Sequence, residues 1–169
     1  MFFRSIFATL GMASSLAGLP ATAAQADPSA QDAAFIRAAH QVNLAEIASG
    51  QIAWRKTTDP EVKNLAATFM RDHIHLDADL YKTARTLRIV LPSAPTAEQQ
   101  ALTKRYEAAG ADTFDEYYIS NELSARREAL ALTSTQTQKG ADPAVKDLAE
   151  KAAPMIARHQ QMLQKAANS

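Results

Sequence analysis

An eight-residue segment occurs twice in this sequence and constrains its fold more than any other feature. Residues 59–66 read Asp-Pro-Glu-Val-Lys-Asn-Leu-Ala, and residues 142–149 read Asp-Pro-Ala-Val-Lys-Asp-Leu-Ala. Each copy places an aspartate where a helix N-cap is favoured and a proline at the first helical position, where its missing N–H costs nothing. A histidine follows further along each copy, His73 in the first and His159 in the second. The repeat therefore predicts two similar helical hairpins.

The rest of the chain is also helical in pattern. Alanine, leucine, glutamine, lysine and glutamate dominate, and these residues favour helices. Apolar residues spaced three or four apart predict helices at about 32–56, 60–89, 97–139 with a break near 110, and 143–167. Two tight hairpins joined by one longer connection predict an all-α, ferritin-like four-helix bundle with a crossover connection. Three-helix and simple up-down arrangements are the alternatives.

The N-terminus has the pattern of an export signal. Arg4 precedes an uncharged run of apolar and small residues, and small-x-small patterns allow cleavage after Ala23 or Ala26. We expect residues 1–26 to be a signal peptide and residues 27–169 to form a single domain in the periplasm or associated with the outer membrane. An uncleaved N-terminal anchor is the alternative, although the run is short for a membrane span.

Charge and cysteine content exclude several classes of function. Without residues 1–26, which contain Arg4 and no acidic residue, 17 of the 18 basic residues remain beside all 18 acidic residues. A near-neutral chain without a basic cluster argues against nucleic-acid binding, and no membrane span is expected in the mature chain. The absence of cysteine excludes disulfides, thiolate metal sites and a cysteine nucleophile.

Three side chains on different predicted helices could form a metal site. Glu46, His73 and His159 lie on the apolar stripes of their helices near the middle, so they could converge inside a bundle. A carboxylate and two imidazoles would suit a single transition metal ion such as zinc, iron, manganese or copper. A two-iron centre is not expected, because Met70 and Ile156 stand where the Glu-x-x-His motif needs glutamate.

A buried polar cluster without metal is the competing interpretation. Arg126 could reach the same centre from the third helix and pair with Glu46, with Glu122 one turn earlier. The cluster would then comprise Glu46, His73, Glu122, Arg126 and His159. His40 and His75 lie off the stripes of their helices and are predicted to face solvent.

The motifs together resemble a known family. They are Asn43 to Ala53 on the first helix, Asp59 to His73 on the second, Phe114-Asp115-x-x-Tyr118 on the third, and Asp142 to His159 on the last. The resemblance covers roughly Asp32 to Ala166 and is to the exported, ferritin-like bacterial family catalogued as domain of unknown function 4142, often labelled an outer membrane protein. It implies a helical bundle in the cell envelope with no established activity. It also implies a histidine at the position of Arg126, so this chain departs from the family's pattern there.

The function expected from these observations is not catalytic. The sequence carries no phosphate-binding loop, nucleophile elbow or zinc-protease motif. We expect a cell-envelope protein that binds an envelope partner or acts during stress, with no cofactor. The alternative is a metal-binding or metal-dependent redox protein that uses Glu46, His73 and His159.

Overall fold

A computed structural model describes residues 28–168. The predicted signal peptide, residues 1–26, lies outside the described residues. The described chain is all-helical. It forms five helices: α1 (Ala30–Lys56), α2 (Pro60–Thr86), α3 (Ala97–Ala108), α4 (Ala111–Lys139) and α5 (Pro143–Ala166). The break near residue 110 divides the predicted third helix into α3 and α4. None of the described helices has an apolar stretch long enough and free enough of charge to cross a bilayer.

The repeated segment caps α2 and α5 in the same way. The Oδ1 atom of Asp59 accepts hydrogen bonds from the backbone N–H groups of Glu61 and Val62. Asp142 does the same for the second and third residues of α5. Side-chain oxygens thus satisfy N–H groups that would otherwise lack partners at both helix starts.

Helix α2 is three residues shorter than the sequence predicts. The expected end at Ile89 is wrong, because Arg88 adopts a left-handed backbone with φ of 55°. The Ile89 N–H then donates to the Ala84 carbonyl and the Arg88 N–H to the Arg85 carbonyl, which is the Schellman arrangement. Leu87 and Ile89 remain buried in the core after the helix has ended.

The four long helices pack as two hairpins. α1 packs on α2, α4 packs on α5, and the hairpins meet where α1 contacts α4 and α2 contacts α5. The helices α1 and α2 approach so closely at Gly50 that a Cβ atom there would lie 2.5 Å from the Cγ atom of Met70. The short helix α3 packs mainly on α1.

A buried carboxylate fastens the start of α1 to the turn between α4 and α5. Asp32 is 0% exposed and accepts hydrogen bonds from the side chains of Ser29, at 2.5 Å, and Gln136, at 2.6 Å. The backbone N–H groups of Ala141 and Asp142 donate to the same carboxylate. Asp32 therefore fixes two segments more than a hundred residues apart in sequence.

Apolar side chains fill the two ends of this structure. One cluster, around Phe69, Phe114 and Leu163, lies toward the turn between α1 and α2. The other, around Phe35, Leu80 and Val145, lies toward the opposite end. Between them lie a small apolar cluster of Ala129, Ala152 and Ile156 and a group of buried polar side chains, which forms the candidate site.

Candidate functional site

A buried arginine occupies the centre of the core. Arg126 of α4 is 1% exposed, and its two terminal nitrogens reach both carboxylate oxygens of Glu46 on α1. The distances are 2.7 Å from Nη1 to Oε1 and 2.8 Å from Nη2 to Oε2. A two-point contact of this kind is among the strong forms of charge-assisted hydrogen bonding. It fixes α1 to α4 at mid-helix.

A second carboxyl group approaches the same guanidinium from one turn earlier on α4. The spacing of four residues puts Glu122 and Arg126 on the same helix face, and Glu122 Oε2 lies 3.3 Å from Arg126 Nη1. The Oε1 atom accepts hydrogen bonds from the hydroxyl groups of Ser49 and Tyr106, whereas Oε2 accepts none. Two buried carboxyl groups therefore share one positive charge.

The two carboxyl groups differ in proton affinity. Burial disfavours the charged form of both, but at Glu46 the charge and hydrogen bonds of Arg126 outweigh burial and lower the pKa to about 2. At Glu122 burial raises the pKa well above its usual value, and the negative charge of Glu46 raises it further. Glu46 thus keeps its charge beside Arg126, whereas Glu122 holds its proton to higher pH than an ordinary glutamate does.

Each of the two core histidines is held through one ring nitrogen only. His73 Nδ1 donates to the Oδ1 atom of Asn43 at 2.8 Å, and His159 Nε2 donates to Asp72 Oδ2 at 2.9 Å. The other nitrogens, His73 Nε2 and His159 Nδ1, are buried and lack hydrogen-bond partners. Burial outweighs the neighbouring carboxylates and lowers the pKa of both histidines to about 4. Both rings are therefore neutral at pH 7, with one lone pair free.

The predicted cluster is brought together, with an aromatic ring between two of its members. His73 Nε2 lies 3.8 Å from Glu46 Oε2, and the rings of His73 and His159 are 5.8 Å apart between centroids. The ring centroids of Phe69 and His159 are 4.3 Å apart. The Phe69 centroid is 4.6 Å from the central guanidinium carbon of Arg126. His159 thus contacts the centre through Phe69 and His73.

The geometry around Glu46 does not match a metal site as it stands. Both of its oxygens accept hydrogen bonds from Arg126, and a cation at this place would face the guanidinium charge. Residues 28–168 contain no group of three or more histidine, aspartate or glutamate side chains spaced to hold a metal ion. The arrangement can hold the helices together, and it can bind or release protons.

The prediction that His40 faces solvent is wrong. His40 is 8% exposed, and its Nδ1 atom lies 2.7 Å from Asp77 Oδ1 on the facing helix. The prediction for His75 is right, because that side chain is exposed. His40 is buried because α1 is rotated so that this side chain faces α2. The apolar stripe of α1 does not specify that rotation.

Sequence reasoning also missed the partners of the cluster. Asn43 and Ser49 lie one turn from Glu46 on α1, and Asp72 directly precedes His73. Their positions next to predicted core residues were the one sequence feature that could have indicated these contacts. Tyr106 gave none, because it comes from α3, whose placement the helical periodicity does not specify.

The fold and the site define a class: an all-helical bundle with an ion-paired polar centre between apolar ends. The chain belongs to the family described as "Domain of unknown function (DUF4142)", whose sequence model matches residues 17–166. No curated protein and no solved structure matches the chain.

Proposed function

We propose that this chain is an exported, non-catalytic protein of the cell envelope that binds a partner or acts during stress. The observation that supports the proposal is that the central carboxylate, Glu46, has hydrogen-bond donors on both of its oxygens. Both oxygens of Glu46 are committed to Arg126, and both histidines are neutral and anchored. Side chains of these types can do acid–base or metal chemistry, but here their contacts serve packing between helices.

A ferritin-like crossover bundle is the architecture we propose for this protein. The hydrogen bond from Gln136, near the end of α4, to Asp32, near the start of α1, is consistent with an antiparallel α1–α4 pair. Leu80, near the end of α2, packs in one cluster with Val145, near the start of α5, which is consistent with an antiparallel α2–α5 pair. Helices α2 and α4 then run in the same direction. The segment from residue 87 to 110, which includes α3, would have to return along the length of the structure to join them. Such a long crossover is the feature that distinguishes this class from up-down bundles.

Export is tested on the full chain expressed in a bacterial host. Cell fractionation and intact-mass measurement should show a periplasmic or outer-membrane product that lacks residues 1–23 or 1–26. A full-length product in the cytoplasm would refute export. An Arg4→Glu variant is the control, since reversing the charge of the start should slow export.

The envelope role is tested by deleting the gene in its native cell. Survival under envelope stress, such as detergent or acid, should fall and should be restored by the wild-type chain. A deletion strain indistinguishable from the parent under all such stresses, together with no envelope protein enriched by in-cell crosslinking, would contradict the proposal.

Metal binding is the second candidate, and the two free imidazole lone pairs favour it. His73 and His159 each donate one ring N–H to an oxygen and leave the other nitrogen bare, as histidine ligands of metals do. Bound metal in the purified chain should fall in a His73→Ala/His159→Ala variant and not in His75→Ala. Less than about a tenth of an equivalent, unchanged between variants, would refute it. Arg126→His removes the competing charge and should raise metal content.

A further inference from the structure

Two segments without acidic residues meet at the end of the structure where α1 begins and α2 ends. Residues 33–45 of α1 and residues 80–97 contain no aspartate or glutamate. The second segment includes the last turns of α2 and the connection to α3. Leu87 and Ile89 of that connection pack in one cluster with Phe35 of α1, so the two segments are neighbours in space. Every carboxylate or guanidinium charge that these segments contribute to this end is therefore positive.

Three exposed arginines of these segments lie around Val90. Arg37 Nε donates a hydrogen bond to the Val90 carbonyl oxygen at 3.2 Å, across 53 residues of sequence. Arg88 has the left-handed backbone that ends α2, and its N–H donates to the carbonyl oxygen of Arg85. None of the three arginines forms an ion pair with a carboxylate of residues 28–168. Because Arg37 is distant in sequence from the other two, only the fold reveals this group of unpaired charges.

An aliphatic and an aromatic side chain are exposed beside these arginines. Val90 is 80% exposed, and Tyr81 is 58% exposed. Tyr81 lies four residues before Arg85, which places both side chains on the same face of α2. Unpaired cations next to exposed apolar side chains are typical of proteins that bind the interface of an anionic bilayer. We call this group, comprising Arg37, Tyr81, Arg85, Arg88 and Val90, the arginine surface.

We propose that the arginine surface binds a bilayer that contains anionic phospholipids. A guanidinium group presents its N–H donors in a planar fork that matches the oxygens of a phosphate group. Val90 would enter the boundary between headgroups and acyl chains, and Tyr81 would lie at the level of the headgroups, where tyrosine is enriched. The proposal rests on the proposed location in the cell envelope, but binding to lipid is measured on the purified chain and does not depend on export.

The position of the start of α1 favours a bilayer over a soluble polyanion. Helix α1 begins at Ala30, at the end of the structure where the arginine surface lies. The uncharged apolar run of residues 5–19 is therefore joined to the fold at this end. Export through that run would bring the arginine surface next to a bilayer. A soluble polyanion would contact the arginines but leave Val90 in water, so Val90 distinguishes the two partners.

The proposal is tested by cosedimentation of the purified chain with vesicles of mixed phosphatidylglycerol and phosphatidylcholine, and with vesicles of phosphatidylcholine alone. The chain begins at Asp27, because it then contains every described helix and lacks the apolar run, which would itself enter bilayers. We expect binding to the mixed vesicles that weakens at least about tenfold when salt is raised from about 50 mM to about 500 mM. No binding, or equal binding to both kinds of vesicle, would overturn the proposal. Displacement by soluble glycerophosphate at matched ionic strength would also overturn it, since a site for a single phosphate group would then explain the binding.

Two variants and one matched control locate the surface. Arg85→Gln/Arg88→Gln should weaken binding to the mixed vesicles at least about tenfold, because each arginine near an anionic bilayer contributes about fivefold. Val90→Ser should weaken binding about fivefold without changing the charge. Arg55→Gln/Arg127→Gln removes the same charge from exposed positions outside the surface and should leave affinity within about twofold. Equal weakening by the two double variants, with all chains folded by circular dichroism, would show that the arginine surface is not the site. Unchanged binding of Val90→Ser would refute a bilayer as the partner and indicate a polyanion.

Discussion

Asp32 and Glu122 are both buried carboxyl groups, but the two are satisfied in different ways. Asp32 accepts hydrogen bonds from two side chains and two backbone N–H groups, so its charge is matched by donors that no other acid shares. Glu122 shares the guanidinium of Arg126 with Glu46 and leaves one oxygen without a hydrogen bond. Asp32 therefore acts as a clasp between two segments of the chain, whereas Glu122 depends on a positive charge that Glu46 also uses.

Their pKa shifts follow from this difference. Burial raises the pKa of Asp32, but the hydrogen bonds from Ser29, Gln136 and the backbone outweigh it and the pKa is lowered. At Glu122 burial and Glu46 together raise the pKa. Dedicated neutral donors therefore stabilise the buried charge of Asp32, whereas at Glu122 a shared positive charge does not offset burial and the pKa rises.

The largest expected effect comes from removing the shared charge. Arg126→Ala leaves Glu46 buried without its counter-ion and should lower the free energy of unfolding by about 3–5 kcal/mol. Urea denaturation followed by circular dichroism measures it. Arg127→Ala, the exposed neighbour on α4, should cost less than about 0.5 kcal/mol. A loss that small for Arg126→Ala would show that the central ion pair does not hold the helices together.

Acid should weaken the polar centre before it weakens the Asp32 clasp. Because the pKa of His73 is lowered to about 4 in the folded chain, its contribution is complete above the unfolded value of about 6.5 and is lost as pH falls toward 4. The loss should be about 1.4 kcal/mol per pH unit in this window. His159, whose pKa is also lowered to about 4, should add a slope of similar size, so His73→Gln should about halve the total slope, whereas His75→Gln, exposed on the same helix, should leave it unchanged. Equal slopes in the two variants would contradict the assignment.

The hydrogen bonds to Asp32 should also weaken as pH falls, but at lower pH than the polar centre. Asp32→Asn places an amide among donors and should cost about 1–3 kcal/mol at pH 7. Because the pKa of Asp32 is lowered in the folded chain, the wild-type advantage is present above its unfolded value and disappears as pH falls through the folded value. Thermal unfolding of both proteins between pH 3 and 7 measures this. A difference that persists unchanged at low pH would mean that charge is not what the clasp requires.

The smallest expected effect has the opposite sign. Because the pKa of Glu122 is raised by folding, the wild-type chain loses stability as pH rises above the unfolded pKa of about 4.5. Glu122→Gln cannot ionise in either state, so at pH 7 it should be more stable than the wild type by on the order of 1 kcal/mol. Glu150→Gln is the exposed control. Destabilisation by Glu122→Gln at pH 7 would place Glu122 in the same category as Asp32.

The sequence predicted the polar centre better than its surroundings. Glu46, Arg126 and Glu122 could be placed together because each lies on a helical stripe, and the spacing of four residues on α4 is a local rule. The sequence did not predict three of the contacts around this centre. They are the contact of His40 with Asp77, that of His73 with Asn43, and that of Tyr106 with Glu122. Each depends on how far one helix is rotated or shifted against another, which a stripe does not specify.

The sequence by itself determined where the helices begin, because caps, prolines and apolar spacing act within a few residues of one another. It also placed Glu46, Glu122 and Arg126 on inward-facing stripes, although it did not place His40 or Asn43 there. Only the tertiary structure decided how those side chains are paired: Arg126 binds Glu46 at two points, Asp32 binds a turn more than a hundred residues away, and a cleft beside Glu122 stays open. Pairing and open space depend on distances between helices, and side-chain packing across the whole core sets those distances.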